Sequence, residues 1–224
     1  MKYLEIFTTF ESKIYTMNDI FNLIKRHDID GIKDYLSNHE LDNEYENENT
    51  PLMYAILRSD DDIVSLLIDK TKNINYQDYY TENALSILVN TKPSKRLKIL
   101  KILLTRKDLD INCVYEYGQN ILMRYFYNLK SPSVPNFGDE FKYIRYLELP
   151  KGYTKFEKMN NDSLYDMIIL LIKNGADITH LSNDNKTFME IIASDKYLIY
   201  RIKDDCPVEY SRYERKMKSK KFNL

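Results

Sequence analysis

The sequence is poor in the residues that punctuate β-rich folds. Glycine occurs five times and proline six times in 224 residues, too few for a sandwich or barrel that needs a turn every 8–12 residues or roughly so. Tryptophan is absent. The two cysteines, Cys113 and Cys206, stand far apart without CxxC spacing, which argues against a disulfide framework or a structural zinc site. They read as buried or half-buried thiols in a reducing compartment. The longest apolar run, Met167–Ile172, falls far short of the ~18 residues that suggest a membrane span. The opening stretch "MKYLEIFTTFESKIY" is broken by charge and lacks the apolar core of a signal peptide. No sign of charge dominates: Lys and Arg number 33, Asp and Glu 34, so no general field draws the chain to nucleic acid or membrane. The phosphate-binding, dinucleotide-binding, zinc-protease and serine-hydrolase signatures are all missing. His27, His39 and His180 are not spaced as ligands on one helix, and no metal site, cofactor or catalytic residue is expected. A soluble, intracellular and cytoplasmic chain is the expectation.

What is present is a repeat. Four strings align: "NTPLMYAI" at 49–56, "ENALSILV" at 82–89, "QNILMRYF" at 119–126 and "KTFMEIIA" at 186–193. Each places an apolar residue (Leu52, Leu85, Leu122, Met189) two positions after Thr50, Asn83, Asn120 or Thr187. The oxygens of such side chains accept from the free N–H groups of a first helical turn. Pro51 sits where the N–H it lacks has no partner anyway. Eight residues before each capping residue stand Asp42, Asn75, Asn112 and Thr179, each preceded by an aliphatic residue: Leu41, Ile74, Ile111 and Ile178. Further upstream lie apolar helices, "IVSLLIDK", "ILKILLTR" and "MIILLIKN". The capping residues are 33, 37 and 67 residues apart.

A period near 33 residues, carrying "TPLMYA" at 50–55, "NINYQD" at 73–78 and "NGADI" at 174–178, resembles the ankyrin-repeat family from about residue 17 to residue 202. The resemblance implies an all-α solenoid of about four to five helix-turn-helix units with short β-turn or hairpin loops. Gly175 suits a helix end, and Gly118 and Asn185 suit the left-handed turn position two residues before the cap. That position holds Glu48 and Thr81 in the other two turns, which are expected to be distorted or rebuilt. Leu88, Tyr125 and Phe126 stand where the family has small alanines, so the middle of the array should be irregular.

The 67-residue gap fits either a degenerate repeat or an insertion at about 130–160 between two helices of one unit. The insertion is preferred, because residues 150–163 offer no capped second start. Phe141, Ile144 and Leu147, three residues apart, suggest a short helix within it. Residues 1–16 form an extension, and Thr16 would cap a first helix at 17–26. Residues 203–224 are a basic tail carrying Arg212, Arg215, Lys216, Lys218, Lys220 and Lys221. It reads as a solvated, fraying end, with contact to nucleic acid or an acidic partner as the alternative. "SDDDI" at 59–63 reads as helix capping rather than a cation site.

The family resemblance implies a non-enzymatic protein-binding module, monomeric, with a protein partner on its concave face and no membrane. Composition rich in Lys, Asn, Ile and Tyr is similar to ankyrin proteins of large DNA viruses and other AT-rich genomes. The candidate contact residues lie in the turns: Tyr76, Asp78, Tyr79, Tyr80, Tyr115 and Tyr117. Tyrosine offers rigid apolar area with a polar handle. The competing role for these rings is packing between neighbouring turns.

Overall fold

A computed structural model describes residues 19–41, 49–91, 93–130 and 156–222. Among them are ten α-helices and no strand: α1 (Asp19–Arg26), α2 (Ile29–Asn38), α3 (Pro51–Leu57), α4 (Asp61–Leu67), α5 (Pro93–Leu103), α6 (Ile121–Lys130), α7 (Phe156–Lys173), α8 (Phe188–Ile191), α9 (Lys196–Asp205) and α10 (Pro207–Phe222). The chain is an all-α repeat solenoid. Five units follow one another, each a first and a second helix: α1/α2, α3/α4, a 3₁₀ turn (Ile87–Asn90) with α5, α6/α7 and α8/α9.

Capping residues set the starts. Thr50 Oγ1 accepts from Met53 N (3.2 Å), with Pro51 at the first helical position. Asn120 Oδ1 accepts from Met123 N (3.2 Å). Thr187 and Glu190 cap reciprocally, each side chain taking the other's backbone N–H. Leu52, Leu85, Leu122 and Met189 all enter the core. Asp60, inside "SDDDI", caps α4 by accepting from Ile63 N (3.1 Å). Thr16 and Glu48 lie outside the described residues, as do residues 1–16 and Phe141, Ile144 and Leu147.

The third unit departs from the expected capped helix. Asn83 Oδ1 accepts from Leu85 N and Ser86 N, yet the segment makes only a turn and a 3₁₀ stretch before Thr91 closes it on Leu88 O. Tyr125 gives the reason. It occupies a position where a small residue lets units close up, and its fully buried ring needs room. Its hydroxyl then donates to Leu85 O (2.6 Å), satisfying a carbonyl that a continuing helix would otherwise use.

Units are joined by a side-chain ladder. Asn75 Nδ2 donates to Asp108 O (2.7 Å) and Asn75 Oδ1 accepts from Asp110 N (2.8 Å). One unit on, Asn112 donates to Gly175 O (3.0 Å) and accepts from Asp177 N (2.8 Å). The same two bonds recur although Asn112 reaches 63 and 65 residues ahead where Asn75 reaches 33 and 35. Helix α7 packs on α6 and on α5, and most of the expected insertion, residues 131–155, lies outside the described residues. Helix α7 begins at Phe156, inside the span expected to be inserted.

Two features of the C-terminus correct the sequence reading. Helix α9 runs to Asp205, past the expected boundary at 202, and the basic segment is helix α10 rather than a fraying end. One face of α10 explains its order. Tyr210 and Tyr213 pack against the core beside the buried Cys206 that precedes the helix, and Lys216 Nζ donates to Thr179 Oγ1 (2.9 Å). Thr179 is the ladder position of the last turn, so α10 supplies the partner that a sixth unit would have given. Arrays of stacked repeats need such a terminal cap with a polar outer face.

Candidate functional site

The turns between units form a row. Three of them close in the same way: Asp78 N donates to Glu82 O (2.9 Å), Tyr115 N to Gln119 O (2.8 Å) and Ser182 N to Lys186 O (3.0 Å). The residue before each closing position has positive φ: Thr81 at 60°, Gly118 at 67° and Asn185 at 57°. The turn holding Thr81 is therefore kept, not rebuilt, with a β-branched residue in a backbone region that penalises it. The Asp78 carboxylate steadies that tip by accepting from Tyr80 N and Glu82 N, both at 2.8 Å. Adjacent tips are bonded to one another. Glu116 N donates to Thr81 Oγ1 (3.1 Å), Gln77 Nε2 to Val114 O (3.4 Å) and Asn183 N to Tyr117 O (3.1 Å). His180 Nε2 lies 2.8 Å from Gly118 O, and His39 stacks on Tyr35, so both histidines serve local packing.

The candidate residues divide. Tyr79, Tyr80 and Tyr117 project from the tips with 82%, 70% and 67% of their surface exposed, and Tyr79 and Tyr80 meet edge to face at 5.4 Å. Tyr115 does not belong with them. It is buried, its hydroxyl donates to Asn83 Oδ1 (3.1 Å), and the Arg124 guanidinium lies 5.4 Å from its ring centre. Burial pushes its hydroxyl pKa well above the ordinary tyrosine value. Tyr115 holds two turns together and is not available to a partner. Tyr76 is half-buried against the core, and Asp78 acts on its own turn.

Sequence reasoning missed two exposed apolar residues in the same row. Val114 and Leu181 are 50% and 40% exposed and hold the same place in successive turns. The signal was the alignment itself: each stands six residues before its capping residue, where the preceding turn has Gln77.

Electrostatics between units is concentrated at Asp61. Its buried carboxylate pairs with Lys95 and Lys98 of α5. Burial alone would raise its pKa, but the two lysine contacts outweigh that and hold it down at about 2. Arg124 pairs with Glu82 across the next junction. Among the described residues, no group of three or more His, Cys, Asp or Glu side chains could hold a metal ion, and no helix is long and apolar enough to cross a membrane. Cys113 is half-buried and Cys206 buried, and both are free thiols.

Residues 20–124 match the family described as ankyrin repeats, in three copies. A solved structure of EF0377, an ankyrin repeat protein, aligns with 82% of this chain and 94% of its own at 23% identity and a TM-score of 0.47. No curated protein matches the chain.

Proposed function

We propose, because residues 20–124 match ankyrin repeats in three copies, that the chain is a non-enzymatic adaptor binding a protein partner through its row of turn tips and the concave face beside them. Ankyrin repeats are generally protein–protein interaction modules. The supporting observation is the set of exposed rings, Tyr79, Tyr80 and Tyr117, held on turns that are bonded internally and to one another. Large rigid side chains on a preformed surface lose little entropy on binding. The test is a triple Tyr79→Ala, Tyr80→Ala, Tyr117→Ala variant used in affinity capture from the native host. Loss of the retained partner with an unchanged melting curve supports the proposal. Capture equal to wild type refutes it. Each tyrosine that acts as an anchor should cost on the order of 1–2 kcal/mol of affinity.

A second reading rests on α10. Its outer face exposes Arg212, Arg215 and Lys218, which suits a nucleic-acid backbone. Salt-dependent binding to DNA or RNA that disappears in Arg212→Gln, Arg215→Gln, Lys218→Gln would favour it. Its absence leaves the protein-binding reading alone.

A further inference from the structure

Equivalent positions of successive tips line up as Tyr80, Tyr117 and Asp184, each three residues before its capping residue. All three are exposed. Beside them run Val114 and Leu181. The spacing of this row follows from the bonding. Each turn brings one chain segment in and takes one out, paired with each other (Tyr115 N to Gln119 O), and the tip of one turn bonds the incoming segment of the next (Asn183 N to Tyr117 O). Paired segments lie about 4.8 Å apart, so equivalent positions recur about every 9–10 Å. Stacked helices 8–10 Å or so apart give the same figure.

Among regular backbone conformations, the polyproline II helix comes nearest to that repeat. A polyproline II helix presents the same face every three residues and advances about 3.1 Å per residue, which is about 9.3 Å per repeat. A β-strand presents one face every two residues, at about 6.7 Å, and falls out of step after one unit. An α-helix comes back into register only at seven residues, about 10.5 Å. The chemistry of the row agrees with the geometry. Two exposed tyrosine faces suit proline rings, which dock on aromatic-lined surfaces in an already ordered helix. The third position, the exposed Asp184, complements a cation. We infer that the tips bind a proline-rich basic segment in the polyproline II conformation, with prolines at i and i+3 over Tyr80 and Tyr117 and Arg or Lys at i+6 over Asp184. This rests on the tip-binding reading and specifies its partner.

The experiment titrates 12-residue peptides into the full chain by calorimetry. The probes carry PxxPxxR, or its reverse RxxPxxP, which runs along the row in the opposite direction. Saturable binding is expected, weakened at least about tenfold by Tyr80→Ala or Tyr117→Ala. Asp184→Asn should weaken it severalfold and reduce its salt dependence. A PxxxPxxR peptide, out of register by one residue, should lose about tenfold against the unaltered chain. Equal affinity for the in-register and out-of-register peptides overturns the inference. So does tighter binding of a helical peptide with leucines seven residues apart. If neither peptide binds while the triple tyrosine variant still loses its captured partner, the polyproline assignment fails and the tip-binding proposal survives. If capture is also unaffected, both fail.

Discussion

The second and third units begin alike and end differently. Thr50 and Asn83 both cap a first turn, and Leu52 and Leu85 both enter the core. Yet α3 runs from Pro51 to Leu57, whereas the third unit makes only a 3₁₀ turn from Ile87 to Asn90. The cap decides where a helix starts, and the neighbour decides how far it goes. Ala55 lies inside α3. The third unit faces Tyr125, whose hydroxyl reaches into its backbone. A local signal of about 1 kcal/mol yields to a side chain whose burial is worth several times that.

Tyr125→Ala should break the comparison most severely. It removes a fully buried ring and the bond to Leu85 O, and should cost about 3–5 kcal/mol in urea or thermal unfolding. Tyr125→Phe keeps the ring and should cost about 1 kcal/mol. If the two variants unfold alike, the hydroxyl rather than the volume holds the short turn.

Asn75→Ala and Asn112→Ala should each cost about 1–2 kcal/mol, since each deletes two bonds between adjacent turns. Because few-repeat arrays depend on their interfaces, unfolding should also become less cooperative. A single sharp transition at the wild-type midpoint would show the ladder to be dispensable.

Next in size is the pH dependence of Asp61, which ties α4 to α5. A carboxyl whose pKa falls from 3.8 to about 2 on folding binds fewer protons folded than unfolded. Its contribution is complete above about pH 4 and drains away as pH falls through about 2. It should amount to about 1–2 kcal/mol, discounted because the lysine heads are half exposed. Asp61→Asn should therefore flatten that part of the stability–pH curve. An unchanged acid limb would mean that other carboxylates set it.

Thr81→Asn should have the smallest effect, a gain of about 0.5–1 kcal/mol. It relieves a β-branched residue at φ 60° with one that tolerates that conformation. Chemical denaturation would detect a midpoint moved upward, and a downward shift would show that the Thr81 bond to Glu116 N outweighs the strain.

The sequence made the caps, the core leucines and the stacking order legible because each depends on residue type at a fixed spacing. Asn120 and Thr187 could be assigned for that reason, and the irregular middle followed from the size of Leu88 and Tyr125. Two things were not legible. The length of the third unit's first helix depends on a hydroxyl contributed from 40 residues away. The order of α10 depends on Tyr210 and Tyr213, packed behind the buried Cys206 that precedes the helix and hidden beneath a strongly basic composition. Within the candidate site, Tyr79, Tyr80 and Tyr117 are exposed but Tyr115 is not. Alternation of tip and inward positions separates them, and composition alone cannot.

The unequal reach of the asparagine ladder also has a consequence in time. Asn75 finds its partners 33 and 35 residues away, and Asn112 finds the equivalent groups of the next unit 63 and 65 away. Each doubling of the chain to be closed adds about 0.6 kcal/mol of entropy, roughly a threefold slower search. The finished bonds are alike, but the order of assembly is not: the first three units associate ahead of the pair that follows. Pulse-labelling hydrogen exchange during refolding would register protection in α3 to α5 before α7 to α9.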